Sequence, residues 1–162
     1  PNGAALCEAC PWKEVCRAQK SGRWRELPVK SKAKARRIED RTVLVIKAED
    51  KVLLHKRANK GLLAGLYEFP NVEGHLKEEE VITYLKKMGL SPIRLKKLED
   101  SRHIFSHIEW HMTGYAVQID ETEQEYQNML FVDVKETEEQ YPIPAAFSRY
   151  TGYMNIRLGN DR

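Results

Sequence analysis

Several groups of side chains in this sequence could bind or react, and the spacing of each group narrows its chemistry. Cys7-x2-Cys10-x5-Cys16 brings three soft ligands within ten residues, close enough to converge on one iron–sulfur or zinc centre. Both centres ordinarily take four ligands, and no histidine or further cysteine follows within 30 residues. The residues alone therefore leave both free thiols and a metal centre open. An odd number of crowded cysteines argues against a disulfide scaffold and for a reducing cytoplasm.

His107-Ile-Glu-Trp-His111 invites comparison with a zinc protease, but that motif needs Glu directly after the first His and both imidazoles on one helix face. In an extended segment, residues four apart lie ~13 Å from each other. Two ligands of one zinc, each ~2.0–2.1 Å from the metal, lie within about 4 Å. These histidines are expected to be ordinary surface or half-buried residues. No Ser/His/Asp order and no glycine-rich phosphate loop occurs. Gly61 and Gly65 flank an apolar turn and read as backbone geometry. Glu78 to Glu80 and Glu136 to Glu139 read as a helix start and a solvated loop.

The chain has 162 residues, 41% of them hydrophobic, which suits one ordinary domain with a short appendage. No stretch approaches the roughly 20 apolar residues of a membrane span, and the N-terminus lacks a signal peptide's order. Charge is uneven. Residues 13–41 carry eleven positive and four negative side chains, whereas residues 42–162 carry sixteen and nineteen. The basic part is either a solvated linker or a surface for a polyanion.

The elements that must position these groups follow from periodicity. From Ser21 to Arg41 apolar residues are sparse and Pro28 removes a donor, predicting an extended linker. The compact domain is expected to begin at Thr42. A hairpin is predicted from Thr42–Lys47 and Lys51–Arg57 around Glu49-Asp50, then a glycine-punctuated loop over Gly61–Pro70 entering a short strand. Lys77–Met88 has Val81, Ile82, Leu85 and Met88 at helical spacing, with Gly89 as its stop. Strands are predicted at Ile93–Leu98, Trp110–Ile119 and Met129–Val134, and a last helix at Ala145–Ile156, opened by Pro144. The mixture predicts an α+β, or layered α/β, domain.

Two stretches, Gly61-Leu-Leu-Ala-Gly-Leu-Tyr-Glu-Phe-Pro70 and Phe105-Ser-His-Ile-Glu-Trp110, together resemble the C-terminal domain of the MutY family. These are the adenine DNA glycosylases that remove adenine mispaired with 8-oxoguanine. The family's iron–sulfur loop has the spacing C-x6-C-x2-C-x5-C, whose last three positions match Cys7, Cys10 and Cys16. The resemblance places the remaining cysteine immediately before Pro1. Glu26-Leu-Pro-Val-Lys30 is similar to the family's interdomain connector.

The resemblance implies a C-terminal piece of a longer enzyme, with the helical catalytic domain upstream and no catalytic residue here. Residues 1–20 become the tail of the iron–sulfur loop, 21–41 the basic linker, and 42–162 the lesion-recognition domain. It also implies a Nudix-like fold: a mixed, mostly antiparallel sheet with packed helices, preceded by the linker. The Nudix signature, G-x5-E-x7-R-E-U-x-E-E-x-G-U, anchored on Gly89, puts Lys86 and Lys87 at the paired-glutamate positions. Ammonium groups there would repel a divalent cation.

By the same resemblance, Ser106 bonds the altered edge of 8-oxoguanine, Phe105 packs near the base and His107 adds a polar contact. Lys30, Lys32, Lys34, Arg36 and Arg37 are expected along DNA phosphates. Cys7, Cys10 and Cys16 would hold a four-iron four-sulfur cluster in the intact protein, absent or incomplete in this piece. The implied partners are double-stranded DNA containing 8-oxoguanine opposite adenine, and the missing catalytic domain. No membrane is implied, and the expected state is a monomer in the bacterial cytoplasm, at the nucleoid. The alternatives are a Nudix-fold nucleotide diphosphate hydrolase and a non-enzymatic Nudix-like binding module.

Overall fold

The computed structural model describes residues 5–27, 29, 35–120 and 126–155. The chain divides into two units, residues 1–35 and 36–162. In the first, tight 3-10 turns at Cys7–Ala9 and Lys13–Val15 lead to helix α1 (Arg17–Lys20) and a further 3-10 turn at Arg23–Glu26. None of these elements buries a residue.

The second unit is built on strands β1 (Arg37–Ala48), β2 (Lys51–Lys56), β3 (Tyr67–Glu68), β4 (Asn71–Glu73), β5 (Pro92–Ile104), β6 (Ile108–Ile119) and β7 (Met129–Asp133). They form one sheet in the order β3-β2-β1-β6-β5, with β4 also beside β1 and β7 beside β2. All pairings are antiparallel except β1 with β6, which run parallel from Arg37↔Ile108 to Lys47↔Gln118. The predicted β1–β2 hairpin is present, with Ala48 opposite Lys51 and Glu49 at φ 51° in the turn.

Helix α2 (Glu78–Lys87) follows the predicted pattern: Val81 and Leu85 are buried, glutamates fill the first turn and lysines the last. Those charges complement the helix dipole. The Lys77 backbone N–H donates to the Glu80 carboxylate at 2.8 Å, satisfying one of the donors left free at a helix start. Gly89, at φ 78°, ends the helix as expected, and Leu90 N–H closes onto the Leu85 carbonyl, a left-handed stop that favours glycine.

Alternation along β1 and β6 divides the core into two layers. Val43, Val45, Trp110, Met112 and Ala116 face Phe147, Tyr150 and Met154 of the C-terminal segment. Leu44, Ile46, Tyr115, Val117 and Ile119 face Val81 and Leu85 of α2. A three-layer arrangement results, the layered form of the predicted mixed class. Gly114 is essential to one layer, because a Cβ there would lie 2.5 Å from Cε1 of Tyr150.

The structure departs from expectation in four places. The stretch 21–41 is not wholly extended, since it holds the Arg23–Glu26 turn and the first residues of β1. Strand pairing is satisfied by backbone groups, so polar Arg37, Glu39 and Arg41 extend β1 alongside β6. Strand β5 is longer than Ile93–Leu98 and continues past an irregularity between Leu98 and Ser101. Glu136–Glu139 forms a short helix, α3, rather than a loop. The C-terminal helix is broken into a 3-10 turn (Ala145–Phe147), helix α4 (Ser148–Thr151) and another 3-10 turn (Gly152–Asn155), glycine at 152 being a poor helix former. Pro28 and Ile156 lie outside the described residues.

Candidate functional site

Phe105, Ser106 and His107 form the turn between β5 and β6. Its base is closed by Phe105 N–H donating to the Ile108 carbonyl at 2.8 Å, and its far side by Arg37 N–H donating to the His107 carbonyl at 3.0 Å. Ser106 and His107 are exposed. Among the described residues neither side chain has a hydrogen-bond partner. Phe105 differs from them: its ring is half-buried, edge-on to Trp110 at 4.9 Å and to His103 at 4.6 Å.

Behind the turn lies a network that sequence reasoning missed. Trp110 is fully buried, and its indole N–H donates to Glu39 Oε2 at 3.0 Å. Glu39 also accepts from Arg41 at 3.0 Å and from Arg37 at 2.6 Å. These contacts, Arg41's first, hold its carboxyl below the usual value against the opposing effect of burial. The Arg41 guanidinium lies 4.7 Å from the Trp110 ring centroid, within cation–π range, and its other arm donates to Asn71. The signal in the sequence was the period-two alternation Arg37-x-Glu39-x-Arg41, hidden by its distance along the chain from Trp110.

The glycine-rich motif converges on the same tryptophan. Arg57 donates to the Leu62 carbonyl and, twice, to the buried Glu68 carboxylate at 2.9 and 2.8 Å. Its guanidinium lies 5.7 Å from the Trp110 ring. Gly61 and Gly65 have φ of 88° and 71°, so they serve the loop backbone as expected. The two stretches that carry the family resemblance thus meet through one arginine and one indole.

On the opposite sheet face, His111 donates to Glu109 at 2.9 Å and faces Asp40, while Arg102 lies 3.6 Å from Glu109. His111, then Arg102, hold the Glu109 carboxyl below its usual range. His75, Arg102, His111 and Arg149 border an open cleft of about 910 Å³. His107 is at the turn and His111 within β6, so the pair is separated as the extended reading required.

Arg36 and Arg37 are exposed, Arg37 as the first residue of β1. Lys30, Lys32 and Lys34 lie outside the described residues. Cys7, Cys10 and Cys16 are half-buried free thiols. Among the described residues no three His, Cys, Asp or Glu side chains are arranged to hold a metal ion. In α2, Lys86 and Lys87 are exposed at the helix end and Thr83 donates to the Glu79 carbonyl. No carboxylate occupies the paired-glutamate positions. Also among the described residues, no helix is long and apolar enough to cross a membrane.

Comparison with known proteins places this geometry in context. A model of the NUDIX domain matches residues 41–151. The adenine DNA glycosylase of Buchnera aphidicola is 29% identical over 114 residues, covering 70% of this chain and 32% of that protein. The adenine DNA glycosylase of Mus musculus is 40% identical over 76 residues, covering 43% of this chain and 15% of that protein. The chain therefore spans less than a third of the length of either curated relative. The C-terminal domain of mouse MUTYH, solved in complex with human PCNA, superposes with a TM-score of 0.57 at 24% identity, covering 72% of this chain and 86% of that one.

Proposed function

This chain belongs to the NUDIX domain family, and from that premise we propose that it is the lesion-recognition part of an adenine DNA glycosylase acting in base excision repair. It reads 8-oxoguanine opposite adenine in double-stranded DNA. Cleavage of the glycosidic bond belongs to a catalytic domain outside this chain. One observation carries the reading: a turn whose serine and histidine are exposed and unpartnered among the described residues, on a backbone hydrogen-bonded at both ends.

Guanine offers acceptors at N7 and O6 in the major groove. In 8-oxoguanine N7 carries a hydrogen and a carbonyl is added at C8, so a reader needs an acceptor where guanine needs a donor. The Ser106 hydroxyl accepts through a lone pair and donates through its rotatable hydrogen, and can serve either new group. His107 adds a second polar contact. The exposed part of Phe105 packs near the base while the rest stays anchored. Lys30, Lys32, Lys34, Arg36 and Arg37 lie along phosphates, contributing affinity without sequence information.

In the intact protein, Cys7, Cys10 and Cys16 join a fourth, upstream cysteine to hold a four-iron four-sulfur cluster. The spacing supports this assignment, and iron and sulfide content of the native full-length protein checks it. The protein works as a monomer in the bacterial cytoplasm, at the nucleoid. Nucleotide diphosphate hydrolysis is disfavoured by Lys86 and Lys87, because hard cations need oxygen ligands.

The deciding experiment measures binding of the native full-length protein to duplexes with 8-oxoguanine or guanine opposite adenine, and Mg²⁺-dependent release of phosphate or pyrophosphate from nucleotides. Tighter binding of the lesion duplex without nucleotide hydrolysis is expected. Equal affinity for both duplexes overturns the reading.

A further inference from the structure

We infer that Glu39 is a positioning residue for the recognition turn: it joins the buried Trp110 indole, on which Phe105 rests, to the arginines of β1, and so sets where Ser106 presents its hydroxyl. This deepens the reading of the turn proposed above and rests on it. No substrate contact is assigned to Glu39 itself.

The argument starts from register. Glu39 and Trp110 are direct partners in the parallel β1–β6 pair, so the carboxylate meets the indole N–H across adjacent strands. A fully buried indole N–H needs an acceptor, and Glu39 Oε2 at 3.0 Å supplies it. The same carboxylate fixes two guanidiniums. Arg41 lies over the Trp110 ring and is tied at its other arm to Asn71. Arg37 reaches Glu39 with its side chain and the turn with its backbone, through the bond to the His107 carbonyl.

Glu39 therefore acts on the turn by two routes. One runs through the indole to the edge-packed Phe105 ring. The other runs through Arg37 to the backbone of His107. Ser106 lies between the ends of both. A binding constellation must be held within about 0.5 Å and about 10–20° of its productive geometry. Loss of the carboxylate leaves the indole N–H without its acceptor, frees the Arg37 guanidinium, and lets the Phe105 ring and the turn drift by that order.

The test compares Glu39→Ala, Glu39→Gln, Trp110→Phe and Ser106→Ala in the native full-length protein. The quantity read is the ratio of Kd for the guanine duplex to Kd for the 8-oxoguanine duplex. Glu39→Ala is expected to lower the ratio by between about twofold and tenfold, the range of one weakened hydrogen bond; any change through the phosphate contact of Arg37 is common to both duplexes and cancels in the ratio. Glu39→Gln, which can still accept from the indole, is expected to recover part of the ratio. Trp110→Phe keeps a ring under Phe105 but gives up the N–H, and is expected to lower the ratio as well.

A ratio lowered by Ser106→Ala but untouched by Glu39→Ala overturns the inference alone. A ratio untouched by Ser106→Ala overturns the reading of the turn and the inference with it. Equal loss of affinity for both duplexes in Glu39→Ala assigns Glu39 to general stability and overturns its positioning role. Should Glu39→Ala fail to fold, wild-type ratios in both Glu39→Gln and Trp110→Phe overturn the inference.

Discussion

The last turn of α2 and the turn between β5 and β6 are two polar regions of one unit, built for opposite purposes. In α2 the charges answer to the helix: Glu78 to Glu80 at its start, Lys86 and Lys87 at its end, with Val81 and Leu85 packed beneath. In the β5–β6 turn the exposed groups answer to nothing nearby. Ser106 and His107 have no partner among the described residues, yet the backbone that carries them is hydrogen-bonded on both sides and Phe105 is wedged between two rings. Where the family signature calls for carboxylates to hold a divalent cation, this chain has ammonium groups. At the hairpin tip the unpartnered groups are instead a hydroxyl and an imidazole. The contrast teaches that a shared fold says little about chemistry until one asks which polar groups are left over after the fold has used its own.

The largest effect that would break this contrast is on stability. Trp110→Ala should cost about 3–5 kcal/mol in urea unfolding, whereas Lys86→Ala with Lys87→Ala should stay within about 0.5 kcal/mol of wild type for each exposed site. Comparable costs would mean that the turn has no special support. Next, replacing Lys30, Lys32 and Lys34 with glutamine should flatten the dependence of log K on log salt by about 0.9 per lost phosphate contact. The change should be the same for lesion and undamaged duplexes, and an unchanged slope returns these lysines to plain linker.

Ser106→Ala should lower discrimination between the two duplexes about tenfold, since an unpaired buried partner costs about 1–3 kcal/mol, with no change in the unfolding midpoint. Replacing His107 as well should lower it further. The smallest effect is on pH dependence. The Glu39 carboxyl titrates below its ordinary value of 4.5 in the folded chain, so its contribution to stability is present above that value and is lost as the pH falls through the folded value. Unfolding measured from about pH 7 down to about pH 3 should therefore show a shallower acid loss in Glu39→Gln than in wild type. Identical acid limbs would separate Glu39 from the stability of the network.

Much of the fold was legible in the sequence because local patterns agreed with tertiary demands. The β-branched run after Thr42, the helical spacing of Val81 and Leu85, and the stop at Gly89 each matched an element the fold needed. The two strand misses share one cause. Residues Arg37 to Arg41 carry too little apolar character to read as a strand, and become one because β6 offers hydrogen-bond partners from the far side of the chain. The long β5 hides likewise behind charged residues and a local irregularity. The turn residues were legible as a motif, but their support was not. No pattern links Glu39 to Trp110, 71 positions further along the sequence, and only register brings them together.

The parallel pairing of β1 with β6 bears on how this protein becomes active after synthesis. Every contact in that pair closes a loop of about that size, an entropic cost met before any pairing is gained, and such distant contacts slow folding. The turn's backing depends on Arg37, Glu39 and Trp110 all being in register, so no early hairpin of β5 and β6 alone can assemble it. The base reading proposed for the turn should therefore emerge late and together with the final closure of the sheet, and a refolding chain should regain its helical signal before the fluorescence of the buried Trp110.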